Sequence, residues 1–129
     1  MLNNETHWLA VADSAALAES ALLEVGVELQ PVLLIRHDGV IHALGGICSH
    51  QQARLCEGRI NEHGRLVCPR HLAHFRLHDG VPDNGWQIAP LPVYPVRIRN
   101  HRIEVDVAAV RRQPVRPQVK VWDLTRSSR

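Results

Sequence analysis

The stretch that decides the fold is CSHQQARLCEG at residues 48–58, continued by RINEHGRLVCPRHLAHF at residues 59–75. It contains two short motifs, Cys-Ser-His and Cys-Pro-Arg-His, with seventeen residues between them. Each motif offers one thiolate and one imidazole on a loop short enough to reach a single metal centre. The candidate ligand set therefore has two sulfur and two nitrogen donors: Cys48, His50, Cys68 and His71.

These ligand types fit either zinc or an iron–sulfur cluster. Zinc fingers usually place two cysteines together in one short unit and two histidines in another. Here each loop carries one of each. A mixed loop suits a [2Fe–2S] cluster in which one iron takes both thiolates and the other takes both imidazoles. A structural Cys2His2 zinc-binding domain remains the alternative from a different class.

The same stretch resembles the cluster-binding region of the Rieske family. The first loop matches the family pattern Cys-x-His followed by a small residue, a leucine and a glycine, and the second has the expected proline and phenylalanine. The similarity continues downstream and covers roughly residues 6–108. The residues that carry it beyond the four ligands are Ala53, Leu55, Gly58, Pro69, Phe75, Asp79, Gly80 and the run 90–98.

The resemblance implies an all-β fold, a Rieske-type antiparallel β sandwich with a small cluster-binding subdomain. It predicts a Rieske [2Fe–2S] domain over residues 1–110, with cluster-binding loops at 45–58 and 66–80, and a basic C-terminal extension at 111–129. It assigns Cys48 and Cys68 to one iron, and His50 and His71 to the other. It implies no catalytic residues.

Two positions depart from the family pattern. Leu72 stands where the family usually has glycine, and Arg76 stands where it often has aspartate. Leucine lacks the access of glycine to positive φ. Leu72 is therefore expected to change the hydrogen bonds to the cluster sulfurs, which help to set the reduction potential.

The third cysteine, Cys56, bears on which branch of the family the chain resembles. The high-potential branch joins the two loops by a disulfide, but the second loop here has Arg70 and Leu72 where a partner cysteine would sit. The resemblance therefore favours the low-potential ferredoxin type, in a reducing compartment. Cys56 is interpreted as a small buried side chain in preference to a reactive thiol.

The resemblance also implies a function, which is one-electron transfer from a flavin-dependent ferredoxin reductase to a terminal oxygenase. The small Rieske subunit of a nitrite reductase is the alternative within the family. The chain has neither a nucleotide-binding fingerprint nor room for the oxygenase's catalytic domain, so it is not expected to be an enzyme by itself. The ligand loops are flanked by three arginines, Arg54, Arg70 and Arg76. Their positive charges are interpreted either as steering an acidic partner surface or as contributing to surface solubility.

Length and charge add further expectations. A chain of 129 residues suits one domain, and no apolar stretch resembles a signal peptide or a membrane helix. We therefore expect a cytoplasmic monomer. Residues 1–110 carry a net charge of −3 and residues 111–129 a net charge of +5. The basic tail is interpreted as solvated or docked on the domain, in preference to binding nucleic acid.

Alternating apolar residues and turn signals predict the strands. We expect strands at 6–12 and 23–29, with Pro31 ending the second, followed by a hairpin around Asp38-Gly39. A second hairpin is predicted to connect the ligand loops, and a last one to turn at Asn100-His101. Between them, residues 81–92 are predicted to form a proline-bearing loop that covers the cluster, with Trp86 as a candidate contributor. His74 is a weaker ligand candidate than His71, since it lies six residues from Cys68.

Overall fold

The computed structural model describes residues 6–48, 53–70, 73–83 and 87–115. In chain order the strands are β1 (Trp8–Asp13), β2 (Leu22–Val27), β3 (Gln30–His37), β4 (Val40–Gly45), β5 (Arg59–Ile60), β6 (Leu66–Val67), β7 (His74–Phe75), β8 (Val93–Tyr94), β9 (Val96–Arg99) and β10 (Arg102–Asp106). One short helix, α1 (Val107–Arg112), follows them. Within the described residues every pair of these strands is antiparallel, and a single bridge between Glu19 and Arg36 is parallel. This confirms the predicted all-β class.

The strands form three sheets. The outer sheet has the order β1-β10-β9, the central sheet β2-β3-β4-β8, and the small sheet β5-β6-β7. The predicted turns are confirmed: Asp38 has φ 52°, and Asn100 and His101 have φ 52° and 65°. Aspartate, asparagine and histidine tolerate this left-handed backbone better than most residues do. Turn chemistry therefore sets both hairpin registers.

The central strand β3 is buried on both faces. Val32 and Leu34 point toward the outer sheet, and Leu33 and Ile35 point toward the ligand loops. This burial explains why the segment is a continuous apolar run rather than an alternating one. The central sheet thus separates two apolar cores, one shared with the outer sheet and one shared with the loops.

The prediction that Pro31 ends a strand is wrong. The turn between β2 and β3 lies at Glu28 and Leu29, whose φ angles are 51° and 68°. Pro31 is the second residue of β3 and stands opposite Gly26. A strand tolerates proline near its beginning, and here the Pro31 carbonyl accepts a hydrogen bond of 2.9 Å from the Gly46 N–H.

Helix α1 is a feature that the sequence analysis does not predict, since it places only a basic extension, from residue 111, after the last hairpin. Asp106 is only 3% exposed, and its Oδ1 accepts hydrogen bonds from the His7 N–H at 2.9 Å and the Ala108 N–H at 3.1 Å. The carboxylate therefore caps the helix and joins it to His7, the residue just before β1. Within the described residues, no helix is long and apolar enough to cross a membrane.

Candidate metal centre

The predicted ligand loops belong to a small subdomain, residues 46–91, which packs on the central sheet. We call the rest of the described chain the base. The subdomain contains β5, β6 and β7, which have only two residues each. Its apolar core continues into the base through Leu33, Ile35 and Leu44. Cys48 and Cys68 are members of this same core.

Backbone hydrogen bonds attach the first ligand loop to the base. Gly46 donates to Pro31, and the Gly46 carbonyl in turn accepts from the Leu55 N–H at 2.9 Å. Within the loop, the Cys48 N–H donates to the Ala53 carbonyl at 2.8 Å. The loop is therefore closed five residues after its cysteine.

The second ligand loop closes in the same way. The Cys68 N–H donates to the Ala73 carbonyl at 2.9 Å, again five residues on. Both alanines are buried, at 4% exposure for Ala53 and 0% for Ala73. The two loops are thus closed by equivalent hydrogen bonds, although their histidines stand at different steps from the cysteine in the sequence. The sequence analysis does not single out Ala73. Its role could have been predicted from its position, because Ala53 and Ala73 each lie five residues after the cysteine of their loop.

The structure brings two of the four predicted ligands into one core. Cys48 and Cys68 are both 0% exposed, and none of the three cysteines forms a disulfide. His50, His71 and Leu72 lie outside the described residues. In the sequence, each histidine falls between the cysteine and the alanine that close its loop.

Two glycines allow backbone segments of the subdomain to approach closely. A Cβ on Gly58 would lie 2.1 Å from the Val67 carbonyl oxygen, just before Cys68. A Cβ on Gly80 would lie 2.1 Å from the Leu91 carbonyl oxygen, and Gly80 has φ +72°. Any side chain at either position would push apart the segments that surround the cysteines.

The end of the first loop is anchored by Glu24 of β2. Arg54 donates from Nε and Nη2 to the two Glu24 oxygens, at 3.4 and 3.2 Å. The Cys56 thiol lies 3.6 Å from Glu24 Oε1 and donates to it. Burial, followed by the nearby Glu24 charge, raises the pKa of Cys56. The third cysteine is therefore partly buried rather than buried as predicted, and its raised pKa disfavours the reactive thiolate.

The segment after the second loop is anchored by Asp79. The Val81 N–H, and then the Arg76 guanidinium, lower the pKa of this carboxyl. Arg76 donates to both Asp79 oxygens, at 3.2 and 2.8 Å. Nearby, Arg65 Nε donates to Asp83 Oδ2 at 2.8 Å. Arg76, which departs from the family pattern, therefore has a structural partner within its own turn.

The proline-bearing loop returns along β7. Phe75 and Pro82 form an isolated antiparallel bridge, and the Asp83 N–H donates to the His74 carbonyl at 2.7 Å. The Leu91 N–H donates to Gly80 at 2.9 Å. These bonds hold the described part of the loop against the strand that follows the second ligand loop. Trp86 lies outside the described residues.

The comparison with protein families agrees with this geometry. The family model of the Rieske [2Fe-2S] domain matches residues 7–95, which include both cysteine loops and the proline-bearing loop. The chain belongs to the Rieske family. Its cofactor is therefore a Rieske-type [2Fe–2S] cluster, and the buried pair of cysteines fits the half of that cluster that takes thiolates.

Two Rieske relatives and one solved structure show the extent of the similarity. The ferredoxin component of an alkene monooxygenase system from Xanthobacter autotrophicus is 36% identical to this protein, over 56% of the length of this chain and 58% of its own length. The ferredoxin subunit of anthranilate 1,2-dioxygenase from Burkholderia cepacia is 33% identical over 80% of this chain and 93% of its own. A structure of oxidised ferredoxin with reduced oxygenase in carbazole 1,9a-dioxygenase is 25% identical, with a TM-score of 0.71, over 80% of this chain and 95% of that one.

The histidines outside the Rieske ligand motif have other surroundings. His74 is partly buried on β7. His42 on β4 has a lowered pKa because it is partly buried, and because His37 and His78 add unfavourable charge. His37 reaches the β5–β6 turn, where a Cβ on Gly64 would lie 2.8 Å from its Nε2 atom. His37 therefore belongs to the contact between the base and the subdomain.

Proposed function

We propose that this chain is a one-electron carrier, a Rieske-type [2Fe–2S] ferredoxin that passes electrons from a flavin-dependent reductase to an oxygenase. The observation that carries the proposal is the pair of equivalent loops, each closed by a hydrogen bond from a buried cysteine to a buried alanine. The resemblance to ferredoxin components of two oxygenase systems supports the choice of partners. The proposed compartment is the cytoplasm.

The proposal assigns the cluster ligands residue by residue. Cys48 and Cys68 hold one iron, and His50 and His71 hold the other. Histidine ligation makes the cluster less negative than four thiolates would, and it places the potential within roughly −150 to +300 mV. The surrounding protein buries the thiolates, fixes both ends of each loop, and excludes water from the cysteine side of the cluster.

The domain division is also a proposal. Residues 1–110 form the Rieske domain, and residues 111–129 form a basic extension. Two contacts support an extension that begins against the domain: the Tyr94 hydroxyl donates to the Gln113 carbonyl at 2.7 Å, and Val115 packs on the core between the central and outer sheets.

The electron-transfer role can be tested with defined partners. A mixture of NADH, an NADH-dependent flavoprotein ferredoxin reductase and cytochrome c is followed at the cytochrome band, with and without this protein. The proposal predicts that reduction of cytochrome c accelerates in proportion to the added cluster-loaded protein. Cys68→Ser, added at equal concentration, should not accelerate it. Cluster-loaded protein that leaves the rate unchanged, and that dithionite cannot reduce, would overturn the proposal.

A further inference from the structure

Of the described residues between Cys68 and Ala73, one, Arg70, is charged, and it is exposed to solvent. The chain leaves the core at the buried Cys68, turns at the exposed Pro69 and Arg70, and is buried again at Ala73. The hydrogen bond between Cys68 and Ala73 fixes the ends of this excursion. Arg70 is therefore held at the outer side of the loop, beside the proposed ligand His71 in the sequence.

The other two arginines that flank the loops are already neutralised within the chain. Arg54 forms an ion pair with Glu24 at 3.2 Å, and Arg76 forms one with Asp79 at 2.8 Å. An arginine that faces a carboxylate at this distance contributes little field farther away, because the two charges cancel. These two arginines therefore act mainly as anchors of the loops.

Arg70 differs from both of them. Among the described residues, no carboxylate forms an ion pair with Arg70 and no acceptor forms a hydrogen bond with it. Within this part of the chain the donors of its guanidinium are not used, and their planar arrangement suits a carboxylate of another molecule. Of the three candidates that flank the loops, Arg70 is therefore the one whose charge no carboxylate of the described chain neutralises.

We infer that Arg70 is the docking cation of this protein: it recognises a carboxylate-rich surface on the redox partner and brings that surface to the cluster end of the molecule. This inference rests on the proposed electron-transfer function and adds the chemistry of the partner to it. An unpaired charge at the point of contact raises the association rate by steering and fixes the orientation of the encounter. Arg54 and Arg76 take no part in this recognition.

The outer sheet offers a matched control. Arg99 on β9 is also exposed and likewise has no ion-pair partner among the residues described, but it lies on the opposite side of the central sheet from the cysteines. Arg70→Glu and Arg99→Glu change the net charge by the same amount. Only the first changes the charge beside the cluster.

The test measures electron transfer from the reduced protein to an acidic haem protein, cytochrome b5, and to a basic one, cytochrome c, by stopped flow at low and high salt. At low salt, Arg70→Glu should slow the reaction with cytochrome b5 by about tenfold and should speed the reaction with cytochrome c. High salt should remove both effects. Arg99→Glu should behave like the wild type at both salt concentrations.

A binding measurement needs no electron transfer. Oxidised protein is titrated into labelled cytochrome b5 and the complex is followed by NMR, where Arg70→Glu should weaken binding and Arg99→Glu should not. Equal effects of the two substitutions, or a strong effect of Arg54→Gln, would overturn the inference while leaving the carrier role intact. Failure of the wild type to reduce either cytochrome would count against the carrier role itself.

Discussion

The base and the small subdomain are built by different means. The base has strands of up to eight residues, and its central strand β3 forms backbone ladders with neighbours on both sides. The subdomain has strands of two residues. Loop closures, close backbone contacts at glycine and ion pairs to carboxylates hold it together instead.

This difference indicates where the metal contributes to folding. Strands of two residues offer too few ladder bonds to offset the entropy of ordering the loops between them. A metal centre that gathers two loops supplies the missing stability, because its binding free energy becomes folding free energy. The base, with a buried sandwich core of its own, does not need that contribution.

The largest effect is expected from the cysteines. Cys68→Ser should abolish cluster incorporation, because it removes a proposed ligand from the buried core. Cys56→Ser should retain the cluster, since the Cys56 thiol only donates to Glu24. Iron content and visible absorbance of the two purified variants are the measurements. Loss of iron in Cys56→Ser, or full iron in Cys68→Ser, would contradict the assignment.

Removal of the cluster should separate the two regions. In hydrogen exchange followed by mass spectrometry, peptides from residues 53–70 and 73–83 of the cluster-free protein should lose protection by several orders of magnitude. Peptides from β3 and β4 should keep most of theirs, because the base core remains. A uniform loss of protection against exchange along the whole chain would show instead that the folding of the base also depends on the metal.

A smaller effect is expected from matched glycine substitutions. Gly58→Ala would place a Cβ 2.1 Å from the Val67 carbonyl oxygen, and we expect a loss of about 3 kcal/mol in the free energy of unfolding. Gly26 on β2 has nothing within 4 Å of its Cβ position, so Gly26→Ala should be neutral or stabilising by roughly 0.5 kcal/mol. Chemical denaturation of cluster-loaded protein provides both values, and equal losses would argue against the close contact.

The smallest effect concerns pH. The pKa of His42 is lowered from 6.5, first by burial and then by the charges of His37 and His78. The unfolded chain therefore takes up this proton more readily than the folded protein. The contribution of the neutral His42 ring to the free energy of unfolding is fully present above about pH 6.5, the pKa of histidine in the unfolded chain. It is lost as the pH falls from that value to the lower pKa of His42 in the folded protein.

His42→Gln should accordingly flatten the loss of stability on acidification, measured as the denaturation midpoint between about pH 5 and 7. His101→Gln, at the exposed turn between β9 and β10, is the control and should preserve the wild-type profile. An unchanged profile in His42→Gln would assign the acid sensitivity to other groups.

Local chemistry explains what could be predicted from the sequence. The turns at Asp38-Gly39 and Asn100-His101 depend on residues that tolerate positive φ, so their positions were predictable. The cysteine loops follow from a short motif with its own spacing. The all-β class follows from alternation and frequent turns, which are also local features.

The features that were missed depend on distant parts of the chain. Glu24 anchors Arg54 and Cys56, which lie 30 and 32 positions away in the sequence, and nothing around Glu24 indicates this role. Helix α1 is capped by Asp106, which also bonds to His7 at the other end of the described chain. Pro31 resembles a strand breaker until its carbonyl is seen to accept from Gly46. Such contacts exist only once the sheets have assembled.

The ligation of the cluster by two cysteines and two histidines is tested by an electron paramagnetic resonance spectrum of anaerobically purified protein, recorded before and after reduction with dithionite. We predict a silent oxidised sample, and after reduction a rhombic signal of the kind given by a [2Fe–2S] cluster with two histidine ligands. Silence in both samples, together with one bound zinc per chain, would contradict it. The two equivalent loops would then be a structural zinc clamp.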